Sequence, residues 1–195
     1  MIKQMNARHA ALVLGAAAMA AVFSGCATFP NSEVAVVNAF PKLAEGNSRP
    51  SVFVPKNSHG GLWVMRKKEI ANILNASGLF GKVSYDPQDL DALDYTLSVE
   101  LRRQRSFYFA WYMATVLSLH IIPSRETNHY TQVVTLKDLS GNVIASTSNK
   151  DSVSTWIGIW FIPWCFNTWT GAVSQTLDNQ VKAALLELAN KGYLQ

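Results

Sequence analysis

Tyr95-Thr96-Leu97-Ser98-Val99-Glu100-Leu101-Arg102 alternates apolar and polar side chains over its whole length. A period of two puts Tyr95, Leu97, Val99 and Leu101 on one face and the polar set on the other, as in a strand with one face in a core and one in water. Downstream, 130–138 and 142–149 make a second pair of strands, joined by Leu139-Ser140-Gly141. Gly141 supplies the positive φ that a tight hairpin needs. Upstream, the β-branched run Val34-Ala35-Val36-Val37-Asn38-Ala39-Phe40 reads as a further strand bounded by Pro41. Brief extended pieces are expected at 51–54 and near 83–85. The rest of 41–61 is rich in Pro and Gly and reads as loop, as does the acidic stretch 86–91.

Two segments carry helical periodicity instead. In 62–77, Trp63, Ile70, Ile73, Leu74 and Ser77 share a face, and Gly78 follows as a C-terminal cap. Near the C-terminus, Val173, Leu177, Val181, Ala184, Leu185 and Leu188 form an apolar stripe, with Asp178 and Lys182 spaced i,i+4 on the wet side and Gly192 beyond the last turn. Strands segregated from helices predict an α+β fold: a two-layer sandwich with a mostly antiparallel sheet of about four to five strands and two helices. It is expected as one domain over 33–195.

Two stretches interrupt this pattern. Residues 106–124 contain no charge, and neither do 152–177, which hold four of the six tryptophans. The apolar segments 106–123 and 154–172 are therefore read as insertions in the sheet, and three readings of them stand. They are buried core, or they span a membrane, or they form a membrane-facing end. As one helix, 106–123 reaches about 27 Å, barely the hydrocarbon thickness, and Pro163 breaks the second run. A membrane-facing end uses Trp111, Tyr112, Trp156, Trp160, Trp164 and Trp169 in the headgroup layer, where an apolar ring and a polar N–H or O–H each find their solvent. Arg102, Arg103 and Arg105 then meet anionic headgroups.

The N-terminus suggests which membrane. Lys3 and Arg8 make a positive region, 10–23 is an uncharged apolar core of 14 residues, and Phe23-Ser24-Gly25-Cys26 closes it. Ser24-Gly25-Cys26 resembles the bacterial lipobox, with Phe23 where Leu is usual. The resemblance implies a lipoprotein signal peptide over 1–25, lipidation of Cys26 by acyl chains such as palmitate, and a tether over 26–32. Ala27 is not the aspartate associated with inner-membrane retention, so the implied location is the periplasmic face of the Gram-negative outer membrane.

Without residues 1–25, 170 residues remain, enough for one core. The formal charge falls from +4 to +2 as Lys3 and Arg8 leave, which does not favour nucleic acid as a partner. Cys165 is the one cysteine beyond Cys26, so neither an internal disulfide nor a cysteine-based metal site is expected; Cys165 reads as an apolar filler. His59-Gly60-Gly61 lacks the Gly-x-Ser-x-Gly elbow that esterase chemistry requires. Asp86, Asp89, Asp91 and Asp94 lack the spacing of a calcium loop, and His120 with His129 lacks a carboxylate partner at ligand spacing. The expectation is no catalytic residue, no metal, no cofactor and no enzyme.

Ser77-Gly78-Leu79-Phe80 with Val83, Asp94-Tyr95-Thr96-Leu97, Leu117-Ser118-Leu119-His120-Ile121-Ile122-Pro123 and the strand from Tyr130 resemble a group of proteobacterial envelope lipoproteins. Their layout is similar to the small α/β domain of the TolB N-terminal, LpoB and CsgG type. The resemblance implies a lipid-anchored accessory or scaffold of the cell envelope that binds an envelope protein partner, with an oligomer possible. Alternatives are an oligomeric outer-membrane pore or secretion component of the CsgG type, and a periplasmic immunity lipoprotein. The two apolar runs lack the polar/apolar alternation of a water-lined barrel wall.

Overall fold

The computed structural model describes residues 25–41, 49–55 and 67–194. The signal segment up to residue 24, Trp63 and His59-Gly60-Gly61 lie outside the described residues. Among the described residues six strands form one sheet: β1 (Cys26–Pro30), β2 (Ser51–Phe53), β3 (Lys82–Ser84), β4 (Tyr95–Phe107), β5 (Ser124–Asp138) and β6 (Val143–Ile157). Three α-helices accompany them among the described residues: α1 (Lys67–Ser77), α2 (Phe109–Leu117) and α3 (Trp169–Asn190). Short 3-10 helices cover Pro87–Ala92 and Ile159–Trp164.

The α+β class holds, but the sheet is mixed and has six strands, in the order β1-β6-β5-β4-β2-β3. β2 pairs in parallel with both β3 and β4, Val52 standing opposite Val83 on one side and Tyr95 on the other. The reason lies in the connection. α1 stands between β2 and β3 in sequence, and a helical crossover of this kind joins parallel strands where a tight turn joins antiparallel ones. β5 and β6 form the expected hairpin, closed by Asp138 N–H to Asn142 O at 3.0 Å with Gly141 at φ +86°.

Two short segments exchange roles relative to the sequence reading. The supposed tether at 26–32 begins with β1, which pairs with β6. The β-branched run 34–40 is irregular and largely exposed. Its backbone is held by a helix side chain: Val37 N–H donates to Asn179 Oδ1 at 3.0 Å, and Asn179 Nδ2 donates to the Val34 and Ala35 carbonyls at 3.2 Å each. β-propensity describes a fit to a half-buried pleated surface, and this run finds α3 instead of a sheet edge.

The chain divides into two compact units. The larger takes in, among the described residues, 30–41, 49–55, 67–104, 128–153 and 173–194. Its core takes Leu97 and Val99 from β4, Tyr130, Val134 and Leu136 from β5, Leu74 from α1, and Leu177, Val181, Leu185 and Leu188 from α3, all buried. These are the alternate strand positions and helix stripes that the sequence marks. Gly78 ends α1 at φ +67°, with Ser77 Oγ donating to Leu74 O at 2.6 Å and accepting from Leu79 N–H at 3.2 Å. Asp178 makes no ion pair within 4.0 Å of Lys182, and the half-buried setting of its carboxyl pushes its pKa up. The smaller unit takes in, among the described residues, 25–29, 105–127 and 154–172, and so contains both apolar segments, 106–123 and 154–172, together with Cys26.

Candidate membrane-contact surface

The smaller unit displays its apolar side chains. α2 has one buried residue, Thr115, although seven of its nine residues, Phe109-Ala110-Trp111-Tyr112-Met113-Ala114-Thr115-Val116-Leu117, are apolar beside Tyr112 and Thr115. Trp111 is 56% exposed, Phe109 68% and Leu117 78%. The 3-10 helix Ile159–Trp164 buries no residue, and Trp160, Trp164 and Phe166 are all exposed. Large apolar side chains scatter singly over ordinary protein surfaces, whereas these are concentrated in two short segments. The buried-core reading of the two runs is thereby corrected. Spanning by a helix is not seen either: no helix among the described residues is long and apolar enough to cross a membrane. With nine residues, α2 is about 14 Å long.

Specific bonds hold these side chains in place. Leu119 and His120 take left-handed φ values of +52° and +66°, unusual for residues with a Cβ, and end α2 sharply. The turn they make is fixed by His120 N–H to Thr115 O at 2.8 Å and by Ile122 N–H to Ser118 Oγ at 3.0 Å. It brings the Pro123 carbonyl to Trp111, whose Nε1–H donates at 2.8 Å. Trp160 Nε1–H donates to Ile121 O at 2.8 Å, and Ile159 N–H to His120 O at 3.1 Å, so the second run is stitched to the turn of the first. The indoles of Trp111 and Trp160 thus satisfy their only donor within the protein, and these two rings need no water to complete them.

The remaining residues expected at this surface fall into distinct settings. Tyr112 is half-buried against Phe107, ring centroids 5.4 Å apart. Trp156 is half-buried between Phe161, at 5.5 Å, and the Arg125 guanidinium, 5.5 Å from its ring. Trp169 is half-buried at the start of α3. Arg105 lies 5.1 Å from the Phe107 ring and pairs with Glu126 at 2.6 Å, so its charge is partly answered already. Arg102 and Arg103 belong to the larger unit; both are exposed, and Arg103 Nε donates to Asn128 Oδ1 at 2.8 Å. Arg125, whose Nε and Nη2 donate to Ser154 Oγ, is a cation of the smaller unit that the sequence reading passed over. Phe109, Leu117 and Phe166 were also passed over, because attention to tryptophan hides aliphatic and phenyl tips; the absence of charge across both runs was the signal that covers them.

Cys26 opens β1. Partial burial pushes its thiol pKa up. Cys165 is exposed and does not fill a core. Asp89 and Asp94 serve local structure. Asp89 accepts from Ser84 Oγ at 2.6 Å and pairs with Lys82 at 3.4 Å, and Asp94 accepts from Ser51 Oγ and N–H at 2.6 and 2.7 Å. These bonds hold both carboxyls below the ordinary range.

No family model matches the chain, and no curated protein does. Among solved structures it is similar to the PelC dodecamer from Paraburkholderia phytofirmans, at 16% identity over 83% of this chain and 97% of that one, with a TM-score of 0.38. It is also similar to a homolog of the neuraminyllactose-binding hemagglutinin from Helicobacter pylori, at 13% identity over 73% and 91% of the two chains, with a TM-score of 0.36. Likenesses this distant carry no functional argument.

Proposed function

We propose that this chain is a non-catalytic, lipid-anchored accessory protein of the cell envelope, attached through acyl groups on Cys26 to the periplasmic face of the outer membrane. Its smaller unit lies in the headgroup layer, and the protein binds an envelope partner. One observation carries the reading: Cys26 belongs to the same compact unit as the exposed tips Phe109, Trp111, Leu117, Trp160, Trp164 and Phe166. An anchor at that cysteine brings those side chains to a bilayer surface. The internally satisfied indole donors of Trp111 and Trp160 support burial of those two rings among lipid, since neither N–H is stranded there. Acyl chains supply the holding energy, about 0.8 kcal/mol for each buried methylene, and the aromatic tips set the orientation.

The test uses an unacylated chain beginning at Ala27 and its Trp160→Ser/Trp164→Ser variant, each mixed with vesicles of phosphatidylethanolamine and phosphatidylglycerol. The parent chain is expected to co-sediment, and the double variant to lose about tenfold or more in partitioning. Equal and negligible binding by both removes the membrane contact. Mass spectrometry of the native protein checks the anchor, which an unmodified Cys26 thiol or a retained leader eliminates. The same apolar tips also suit contacts between copies of the chain. A monodisperse monomer in detergent excludes the oligomeric reading.

A further inference from the structure

The residue just before Cys26, Gly25, is tied to the residue just after β6. Gly158 N–H donates to the Gly25 carbonyl at 3.1 Å, and Thr28 Oγ1 lies 3.1 Å from Thr155 Oγ1. Three residues forward on one strand match three residues back on the other, so the Gly25–Gly158 bond is the last rung of an antiparallel β1–β6 ladder. Gly25 and Gly158 are both buried. A Cβ on Gly25 would stand 2.4 Å from Ile162 N, 2.7 Å from Phe161 C and 2.8 Å from Ile162 Cα, all backbone atoms. The position accepts an unbranched carbon and nothing larger.

Processing before Cys26 would cut this rung. Hydrolysis of the Gly25–Cys26 peptide bond removes the carbonyl that Gly158 N–H uses and leaves the α-amine of Cys26. Near neutral pH that amine is largely an ammonium. It offers only donors, so a donor would face the buried Gly158 donor, an arrangement that native structures avoid.

We propose that N-acylation of Cys26 restores the rung: the amide carbonyl of the acyl group takes the place of the Gly25 carbonyl, and its α-methylene takes the place of the Gly25 Cα against Phe161 and Ile162. The inference rests on the acyl anchoring proposed above. In the acyl transfer, the free α-amine attacks an ester carbonyl of a glycerophospholipid. The N–C amide bond forms, the ester C–O bond breaks, and the lysophospholipid leaves as an alcohol carrying the proton that the amine gives up. The product, CH2–C(=O)–NH on the Cys26 Cα, repeats the covalent geometry of the glycine it replaces. A straight-chain acyl group fits this seat, whereas an α-branched one meets the same backbone atoms as a Cβ on Gly25.

The experiment compares amide hydrogen exchange at Gly158 in three full-length forms purified in detergent. They are the Cys26→Ser precursor, the native protein, and protein from cells whose N-acylating activity is blocked, in which Cys26 keeps its thioether lipid and a free amine. Gly158 is expected to be protected alike in the precursor and the N-acylated form, and to exchange about tenfold faster or more in the free-amine form. Equal protection in the free-amine and N-acylated forms overturns the proposal while leaving the lipid anchor standing. Native protein whose mass shows no acyl group on Cys26 removes both.

Discussion

The two compact units handle the same residue types in opposite ways. In the larger one, Leu177, Leu185 and Leu188 of α3 are 3% exposed or less, packed with Leu97, Val134 and Leu136 of the sheet strands in one core. In the smaller one, Leu117 and Phe109 of α2 stand mostly in the open. α2 carries no charged residue, while α3 carries Asp178, Lys182 and Glu187 on its less buried positions. The more apolar helix is therefore the less buried of the two. Hydrophobicity alone did not decide burial here. What decided it was whether the apolar positions form a stripe that another layer of the same unit can cover, and α2 has no polar side to turn outward.

The sharpest way to break this contrast is a matched pair of truncations. Leu185→Ala removes a fully buried side chain and is expected to cost about 2–5 kcal/mol of unfolding free energy, through lost transfer energy and the cavity left behind. Leu117→Ala, at 78% exposure, is expected to change it by about 0.5 kcal/mol or less. Urea midpoints for the two variants provide the comparison. A large loss from Leu117→Ala would mean that α2 is buried in solution after all.

A second substitution sharpens the account of the buried side. Gln180 is fully buried on α3, and its Nε2 donates to the Tyr130 carbonyl at 3.0 Å. Gln180→Ala takes that donor from a buried carbonyl and is expected to cost about 1–3 kcal/mol in the same urea titration. A neutral result would show that the bond is replaced, for instance by water.

The larger unit was legible because its residues obey simple periods. Leu97, Val99 and Leu101 alternate in β4, Val181, Leu185 and Leu188 recur at helical spacing, and Gly78, Gly141 and Gly192 sit where a positive φ ends an element. Less legible was anything set by a distant partner. β1 shows no alternation and exists because β6 offers it an edge, while Val34 to Phe40 looks like a strand and is claimed by Asn179. The long strands also extend beyond their periodic parts: every residue of β4 from Arg102 to Phe107 is exposed, so no alternation records them. In the candidate surface, composition revealed the charge-free runs but not their exposure. That depends on the left-handed turn at Leu119 and His120, where no glycine announces it.

Moving the comparison from water to lipid exchanges the roles of the two units. Phe166, 86% exposed, contributes little to folding, so Phe166→Ala should leave the urea midpoint close to that of the parent chain. Burying a phenyl ring is worth about 1.5–3 kcal/mol, so the same variant is expected to lose about tenfold in vesicle partitioning. Unchanged partitioning would take Phe166 out of the contact surface.

The smallest effect expected concerns charge on the helix that the larger unit does bury. Burial raises the Asp178 pKa, Lys182 pulls it back, and Glu69 adds to the rise. A carboxyl whose folded pKa lies above its unfolded value, about 3.9, favours folding at low pH and loses that contribution as pH rises through the folded value. At neutral pH the ionised Asp178 is therefore a burden on the native state. Because the side chain is only half-buried and solvent screens it, the burden is less than about 1 kcal/mol. Asp178→Asn is expected to be slightly more stable than the parent chain at pH 7, with the advantage shrinking toward pH 3.5. Thermal melts at the two pH values measure it. A variant less stable than its parent at pH 7 would mean that attraction to Lys182 outweighs desolvation, and that this position of α3 is wetter than its packing indicates.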